Sequence, residues 1–184
     1  MKLFIGCSSS EDLDEVYMDK CESFLDCVLK DNDLVYGAYN KGVMKLAFDC
    51  AKKYNRKIYA VTIEKNIETL KLVDADYKST VPTTYNRSEE LIRLSDMIII
   101  LPGGIGTIAE LISAIESMRS MDFSKPILIY NINGFYDELI SFLDKIYSEK
   151  FSSLSGRDVY HIVDNIEEAV KYVREKELKD GREN

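Results

Sequence analysis

Met97-Ile98-Ile99-Ile100-Leu101-Pro102-Gly103-Gly104-Ile105-Gly106-Thr107-Ile108-Ala109-Glu110 dictates the architecture of this chain. The opening apolar run reads as a strand buried on both faces. After the glycines, the apolar positions Leu111, Ile112, Ala114, Ile115 and Met118 recur with helical spacing. Three of the chain's nine glycines fall inside positions 103–106. Residues without a Cβ let a ligand approach the backbone, and the start of a helix offers unpaired N–H groups at the positive end of its dipole. Strand, glycine turn and helix in this order form a seat for a phosphate. Glu110, on the first helical turn in this reading, sets a carboxylate beside it.

The same alternation continues in both directions. Apolar runs near 2–6, 34–37, 57–63, 77–81, 97–101, 126–130 and 159–163 are separated by amphipathic stretches, the pattern of a parallel sheet covered by helices on both faces. About seven strands, short connections and right-handed crossovers predict a Rossmann-like doubly wound α/β fold. A chain of 184 residues suits one domain that buries about 70% of its unfolded surface. That nucleotide-binding domain is expected over 1–178, followed by a frayed polar tail at 179–184. In such sheets ligands bind beyond the carboxyl ends of the strands, which brings the loops 6–10, 37–42 and 102–107 to one rim.

A net charge of −8 argues against a broad nucleic-acid or acidic-membrane surface. It leaves room for a small phosphorylated ligand, which a local turn and one arginine can hold. The cysteines at 7, 21, 27 and 50 show no C-x-x-C spacing. Cys21 and Cys27 read as buried free thiols on an amphipathic helix. With no leader pattern and no long apolar span, a reduced cytoplasm is the expected compartment. The single histidine, His161, sits in an apolar run and reads as a strand residue without a catalytic task, and no metal site is expected.

Two common phosphate fingerprints are missing. The position after the first strand reads Gly6-Cys7-Ser8-Ser9-Ser10, which lacks the glycines of a dinucleotide loop. Gly106 is followed by Thr107 with no lysine, so the triphosphate-binding loop is absent as well. A mononucleotide or sugar phosphate remains.

Locally, Thr107-Ile108-Ala109-Glu110 has the T-x-x-E spacing of a capping box, with Glu110 reaching back to a backbone N–H. Joined to Pro102–Gly106 and to Arg87, the same carboxylate reads as functional, and the two roles can coexist. Arg87 falls near the start of a helix capped by Asn86, with Glu89 as reciprocal partner. An exposed cation there costs only about 0.3–1 kcal/mol, so spacing alone does not decide between a functional and a surface arginine. Ser8 and Ser9 follow the first strand and suit either hydrogen bonds to phosphate or ribose, or turn and capping roles. Cys7 reads as a packed strand end. Tyr36, Phe135 and Tyr136 read as core or interface, and Tyr39 is the exception, in a loop expected to face the ligand.

Pro102–Glu110 matches P-G-G-x-G-T-x-x-E in full, and Arg87 precedes Asp96 by nine residues. In these elements the chain resembles the LOG ("lonely guy") family of cytokinin-activating phosphoribohydrolases, once labelled lysine decarboxylases. The likeness extends over Leu34–Gly37, Gly42–Met44, Lys125-Pro126 and Asn131–Tyr136. It implies hydrolysis of the N-glycosidic bond of a purine or cytokinin-type nucleoside 5′-monophosphate to free base and ribose 5-phosphate, without a cofactor. By resemblance, Gly103, Gly104, Gly106 and Thr107 hold the phosphate, Arg87 and Glu110 serve catalysis, and the partner is a second copy in a homodimer. Relatives of this fold also include carriers and sensors that bind without cleaving. The chain departs from the family's consecutive glycines at Ala38-Tyr39-Asn40-Lys41, from a lysine at Ser88, from a tryptophan and a glutamine at Ser117 and Arg119, and from Cys-Gly at Gly6-Cys7. These changes are expected to line the pocket.

Overall fold

Every apolar run becomes a strand of one sheet in the computed structural model, which describes residues 1–120, 124–152 and 156–183. The strands are β1 (Lys2–Gly6), β2 (Asp33–Tyr36), β3 (Ile58–Ile63), β4 (Tyr77–Val81), β5 (Met97–Ile100), β6 (Ile127–Tyr130) and β7 (His161–Val163). They lie in the order β4-β3-β2-β1-β5-β6-β7, and every pairing is parallel. The winding therefore reverses between β1 and β5, where Leu3 pairs with Met97 and Gly6 with Ile100. A reversal of strand order opens a crevice at the carboxyl ends, since the helices after the two strands leave on opposite faces.

The helices are α1 (Glu15–Val28), α2 (Gly42–Lys53), α3 (Ile67–Lys71), α4 (Thr84–Leu94), α5 (Ile105–Arg119), α6 (Asp137–Ser148), α7 (Gly156–Val159) and α8 (Ile166–Glu183). The two-residue period of the strands sorts the core into two layers. Leu3, Ile5, Met97 and Ile99 pack with α1, α2 and α8, while Phe4, Ile98 and Ile100 pack with α4 and α5. With both faces covered, strands such as β5 are buried at every position, which is why they read as unbroken apolar runs.

The structure moves several expected boundaries. Sequence spacing places the start of the first helix near Asp12, but Asp14 caps α1 by accepting from Val16 N and the helix starts at Glu15. Cys21 is buried, but Cys27 is exposed, because six residues along a helix rotate it off the core face. α4 begins at Thr84 with Thr83 as its cap, not at Arg87 capped by Asn86. The last strand is shorter than the run 159–163, since Val159 closes α7. α8 continues to Glu183, through most of the segment read as a tail, and Asn184 lies outside the described residues. Leu111 and Ile115 are buried in the α4–α5 layer and Met118 packs against it.

Two side chains fasten the crevice strands. At the amino end of β5, Asp96 Oδ2 accepts from Lys2 N (2.6 Å) and Asp96 N donates to Lys2 O (2.8 Å). Beyond the carboxyl end, the fully buried Tyr136 donates from its hydroxyl to Leu101 O (2.8 Å). Asp96 thus sits at the rim opposite the glycine turn, where it ties β1 to β5.

Candidate functional site

Helix α5 starts directly out of the glycine turn. Gly104 is its N-cap, with φ −81° and ψ −161°, and no side chain caps it. Thr107 is therefore the third helical residue and Glu110 lies on the second turn. This overturns both the capping-box reading and the placement of Glu110 on the first turn. It also leaves the leading N–H groups of α5 without a side-chain acceptor, the condition for an anion seat. A Cβ on Gly104 or Gly106 would meet nothing within 4 Å, whereas one on Gly103 would overlap the Thr107 hydroxyl. Gly103 thus lets Thr107 pack under the turn, and Gly104 and Gly106 keep the space above it open.

Glu110 points from α5 toward the end of β1 and is 2% exposed. Its Oε1 accepts from Arg87 Nη2 at 3.2 Å, while Oε2 has no partner. A Cβ on Gly6 would lie 3.3 Å from that free oxygen and 2.9 Å from Ile100 Cδ1, so the carboxylate occupies room that a side chain at position 6 would fill. Burial pushes the Glu110 carboxyl up to about 7, and the neighbouring Arg87 opposes the rise without cancelling it. Such a group exchanges a proton at neutral pH. Arg87 reaches the site from α4, with its side chain 12% exposed and its Nε lacking a partner. The pair makes one hydrogen bond, not the two-pronged contact that an arginine and a carboxylate can form.

A cavity of about 430 Å³ gathers Ser8, Ser9, Gly104, Gly106, Thr107, Arg87 and Glu110. Gly103 instead faces an adjoining cavity of about 330 Å³ beside Tyr17 and Phe135. Ser8 is a hinge of the rim: its hydroxyl accepts from Ser10 N (3.0 Å), its N–H donates to Pro102 O (3.3 Å), and its carbonyl accepts from Met44 N (3.2 Å). Cys7 lines the floor, and burial pushes its thiol well above the usual range, which keeps it neutral and unreactive. His161 is exposed and stacks on Tyr172. Among the described residues no cluster of three or more His, Cys, Asp or Glu could hold a metal.

The far wall comes from the loop after β2. Ala38 there adopts φ +63°, a left-handed backbone that costs a residue with a Cβ about 1–2 kcal/mol. Tyr39 and Met44 line the cavity, and Asn66 donates to the Tyr39 hydroxyl (2.5 Å). Of the four departures expected to line the pocket, only this loop and Cys7 do so. Ser88 is buried and donates to Thr84 O. Ser117 faces a separate groove between α4 and α5, and Arg119 pairs with Glu116.

A family profile described as "Possible lysine decarboxylase" matches residues 41–173. The cytokinin riboside 5′-monophosphate phosphoribohydrolase LOG4 of Arabidopsis thaliana is 30% identical over 95% of this chain and 82% of its own length. The chain belongs to the LOG family. A probable phosphoribohydrolase of the same kind from Oryza sativa, LOGL3, is 30% identical over 91% of the chain and 84% of its own length. Among solved structures, the molybdenum cofactor binding protein of Rippkaea orientalis has the same fold, with TM-score 0.70, 18% identity and 95% of both chains covered. The Moco carrier protein of Chlamydomonas shares it too, with TM-score 0.68, 16% identity, and 95% and 96% covered. In this chain the turn 102–107 and the Arg87–Glu110 pair stand at one crevice.

Proposed function

We propose that the protein hydrolyses the N-glycosidic bond of a nucleoside 5′-monophosphate of purine or cytokinin type, releasing free base and ribose 5-phosphate. The observation that supports this most is the buried Arg87–Glu110 pair set beside the uncapped start of α5. The 5′-phosphate accepts from the free N–H groups of α5 and from Thr107, with Ser8 and Ser9 on the opposite rim. As the C1′–N bond breaks, positive charge builds on the ribose, and a fixed carboxylate stabilises it. Water adds to C1′ and passes a proton to ionised Glu110, which returns it to the departing base. Arg87 supplies the positive charge that keeps part of the Glu110 population ionised at neutral pH.

No lysine lines this cavity among the described residues, and Lys41, in the loop after β2, is paired with Glu11. The decarboxylase label of the family profile therefore gains no support from the site. A carrier or sensor that holds a phosphorylated ligand intact is the second reading, favoured by solved neighbours titled as molybdenum cofactor binding and carrier proteins.

Incubation with AMP, GMP, CMP, UMP and an N6-substituted AMP, with assay of free base and ribose 5-phosphate, separates the two. Turnover of at least one nucleotide is expected, lost in Glu110→Gln and reduced 10²–10³-fold in Arg87→Ala, the scale of removing one electrostatic contact to the transition state. Tight binding with no release of base from any of them would establish the carrier instead. We also propose a homodimer through the exposed apolar residues Tyr85, Ile105 and Ile112 of α4 and α5, which sedimentation of wild type against Ile112→Glu would test.

A further inference from the structure

The loop after β2 keeps the backbone of a glycine turn, with Ala38 at φ +63°, yet carries a large aromatic where the family pattern has none. Tyr39 lines the cavity, its ring packs against the core below α2, and its hydroxyl is held by Asn66. A ring fixed at both ends is a prepared surface and not a mobile side chain. We propose that Tyr39 determines specificity by offering its face to the aromatic base of the nucleotide, with Asn66 as the residue that positions it. The proposal rests on the nucleotide reading of the site and assigns the part that recognises the base.

The layout across the sheet supports it. The start of α5 follows β5, Glu110 reaches the end of β1 at Gly6, and Tyr39 follows β2. These three strands are neighbours in the order β2-β1-β5, so the ends of β5 and β2 are about 10 Å apart, two strand spacings. A nucleoside monophosphate carries phosphate, ribose and base in that same sequence. Phosphate on α5 and the anomeric carbon at Glu110 leave the base at the β2 end, against Tyr39. The opposite direction along the rim leads into the cavity beside Phe135, which Glu110 does not line. Stacking accepts any base because every base has a π-face, so Tyr39 favours nucleotides over base-free sugar phosphates.

Equilibrium binding separates the base from the rest of the ligand. AMP and ribose 5-phosphate are titrated into Glu110→Gln protein, in which turnover is removed, alone and combined with Tyr39→Ala, Tyr39→Leu, Tyr39→Phe or Asn66→Ala. Tyr39→Ala and Tyr39→Leu should each weaken AMP on the order of tenfold and leave ribose 5-phosphate unchanged. Tyr39→Phe keeps the ring but loses the hydroxyl that Asn66 holds, so it should weaken AMP by less than Tyr39→Leu does, and Asn66→Ala should match it, with ribose 5-phosphate unchanged in both. Leu preserves bulk without a π-face, so it reports on stacking even if Ala disturbs the loop. Undiminished AMP binding in the Leu variant, or equal loss of AMP and ribose 5-phosphate, overturns the assignment while leaving the nucleotide site standing. If the Glu110→Gln parent binds neither compound, the nucleotide reading itself falls, and this inference with it.

Discussion

Replacing Glu110 with glutamine should make the protein more stable while stopping its chemistry. In the unfolded chain this carboxyl ionises near 4.5, and in the folded protein burial delays ionisation to about 7. The folded state thus binds the proton more tightly, and folding takes one up between those values. Below pH 4.5 both states are protonated and the residue costs nothing. As pH rises from 4.5 to about 7 stability is lost, and above 7 the full cost is present. That cost is about 3 kcal/mol, at ~1.4 kcal/mol for each pKa unit. The attraction of Arg87 is already contained in it, since the arginine is charged in both protonation states of its partner. Glutamine reproduces the neutral acid in shape, and its carbonyl still accepts from Arg87 Nη2.

Urea or thermal unfolding of wild type and Glu110→Gln across pH 4.5 to 8.5 measures the effect. Glu110→Gln should gain up to about 3 kcal/mol at pH 8, or about 6–12 °C in Tm for a chain of this size. The two proteins should converge toward pH 4.5. A wild type as stable as the variant at pH 8 would refute the claim that the carboxylate is held at the expense of the fold. A constant difference at every pH would refute it equally, because packing of the amide and not ionisation would then be the cause.

The same ionisation shapes the rate. In the proposed reaction the ionised form accepts the proton from water, so kcat/KM for the nucleotide that turns over should fall tenfold per pH unit below an apparent value of about 7. Gly6→Ala sets a Cβ 2.9 Å from Ile100 Cδ1 and 3.3 Å from Glu110 Oε2. It should cost about 1–3 kcal/mol by overpacking and lower kcat about 10²-fold by displacing the carboxylate, as unfolding and steady-state kinetics on one preparation would show. Asp96→Ala removes the clamp between β1 and β5 and should cost about 1–3 kcal/mol in unfolding experiments, with kcat per folded molecule unchanged because the residue lies on the opposite rim.

The sheet was legible because burial on both faces leaves a plain sequence mark: unbroken apolar runs such as Met97–Ile100, punctuated by glycine and proline. The ends of the helices were less so. Thr107 and Glu110 carry cap spacing, but the extended backbone at Gly104 opens α5 three residues earlier, and a glycine cap writes no side-chain signal. Thr83, whose hydroxyl accepts from Asn86 N, likewise outcompeted Asn86 as the cap of α4. The residues of the site were named by a motif, but their meeting was not written in spacing. Arg87 and Glu110 stand on separate helices and touch only because α4 and α5 pack on one face of the sheet. The tie from Asn66 to Tyr39 spans 27 positions and had no sequence signature, and the hold of Tyr136 on Leu101 looked like ordinary core.

Where local rules break is itself informative. Among the described residues, three buried side-chain polar atoms lack a partner, and two of them, Arg87 Nε and Glu110 Oε2, belong to this cavity. The start of α5, which no side chain caps, lies on its wall as well. Native folds satisfy nearly all buried polar groups. That two of the three unpaired atoms stand at one crevice points to a carboxylate oxygen and a guanidinium N–H placed for a ligand that completes them. In the proposed reaction a bound nucleotide would offer acceptors to α5 and a π-face to Tyr39, and the positive charge that develops as its base departs would offer Oε2 the partner it lacks in the ground state. An interaction made only at that moment lowers the barrier to reaction without tightening the hold on substrate.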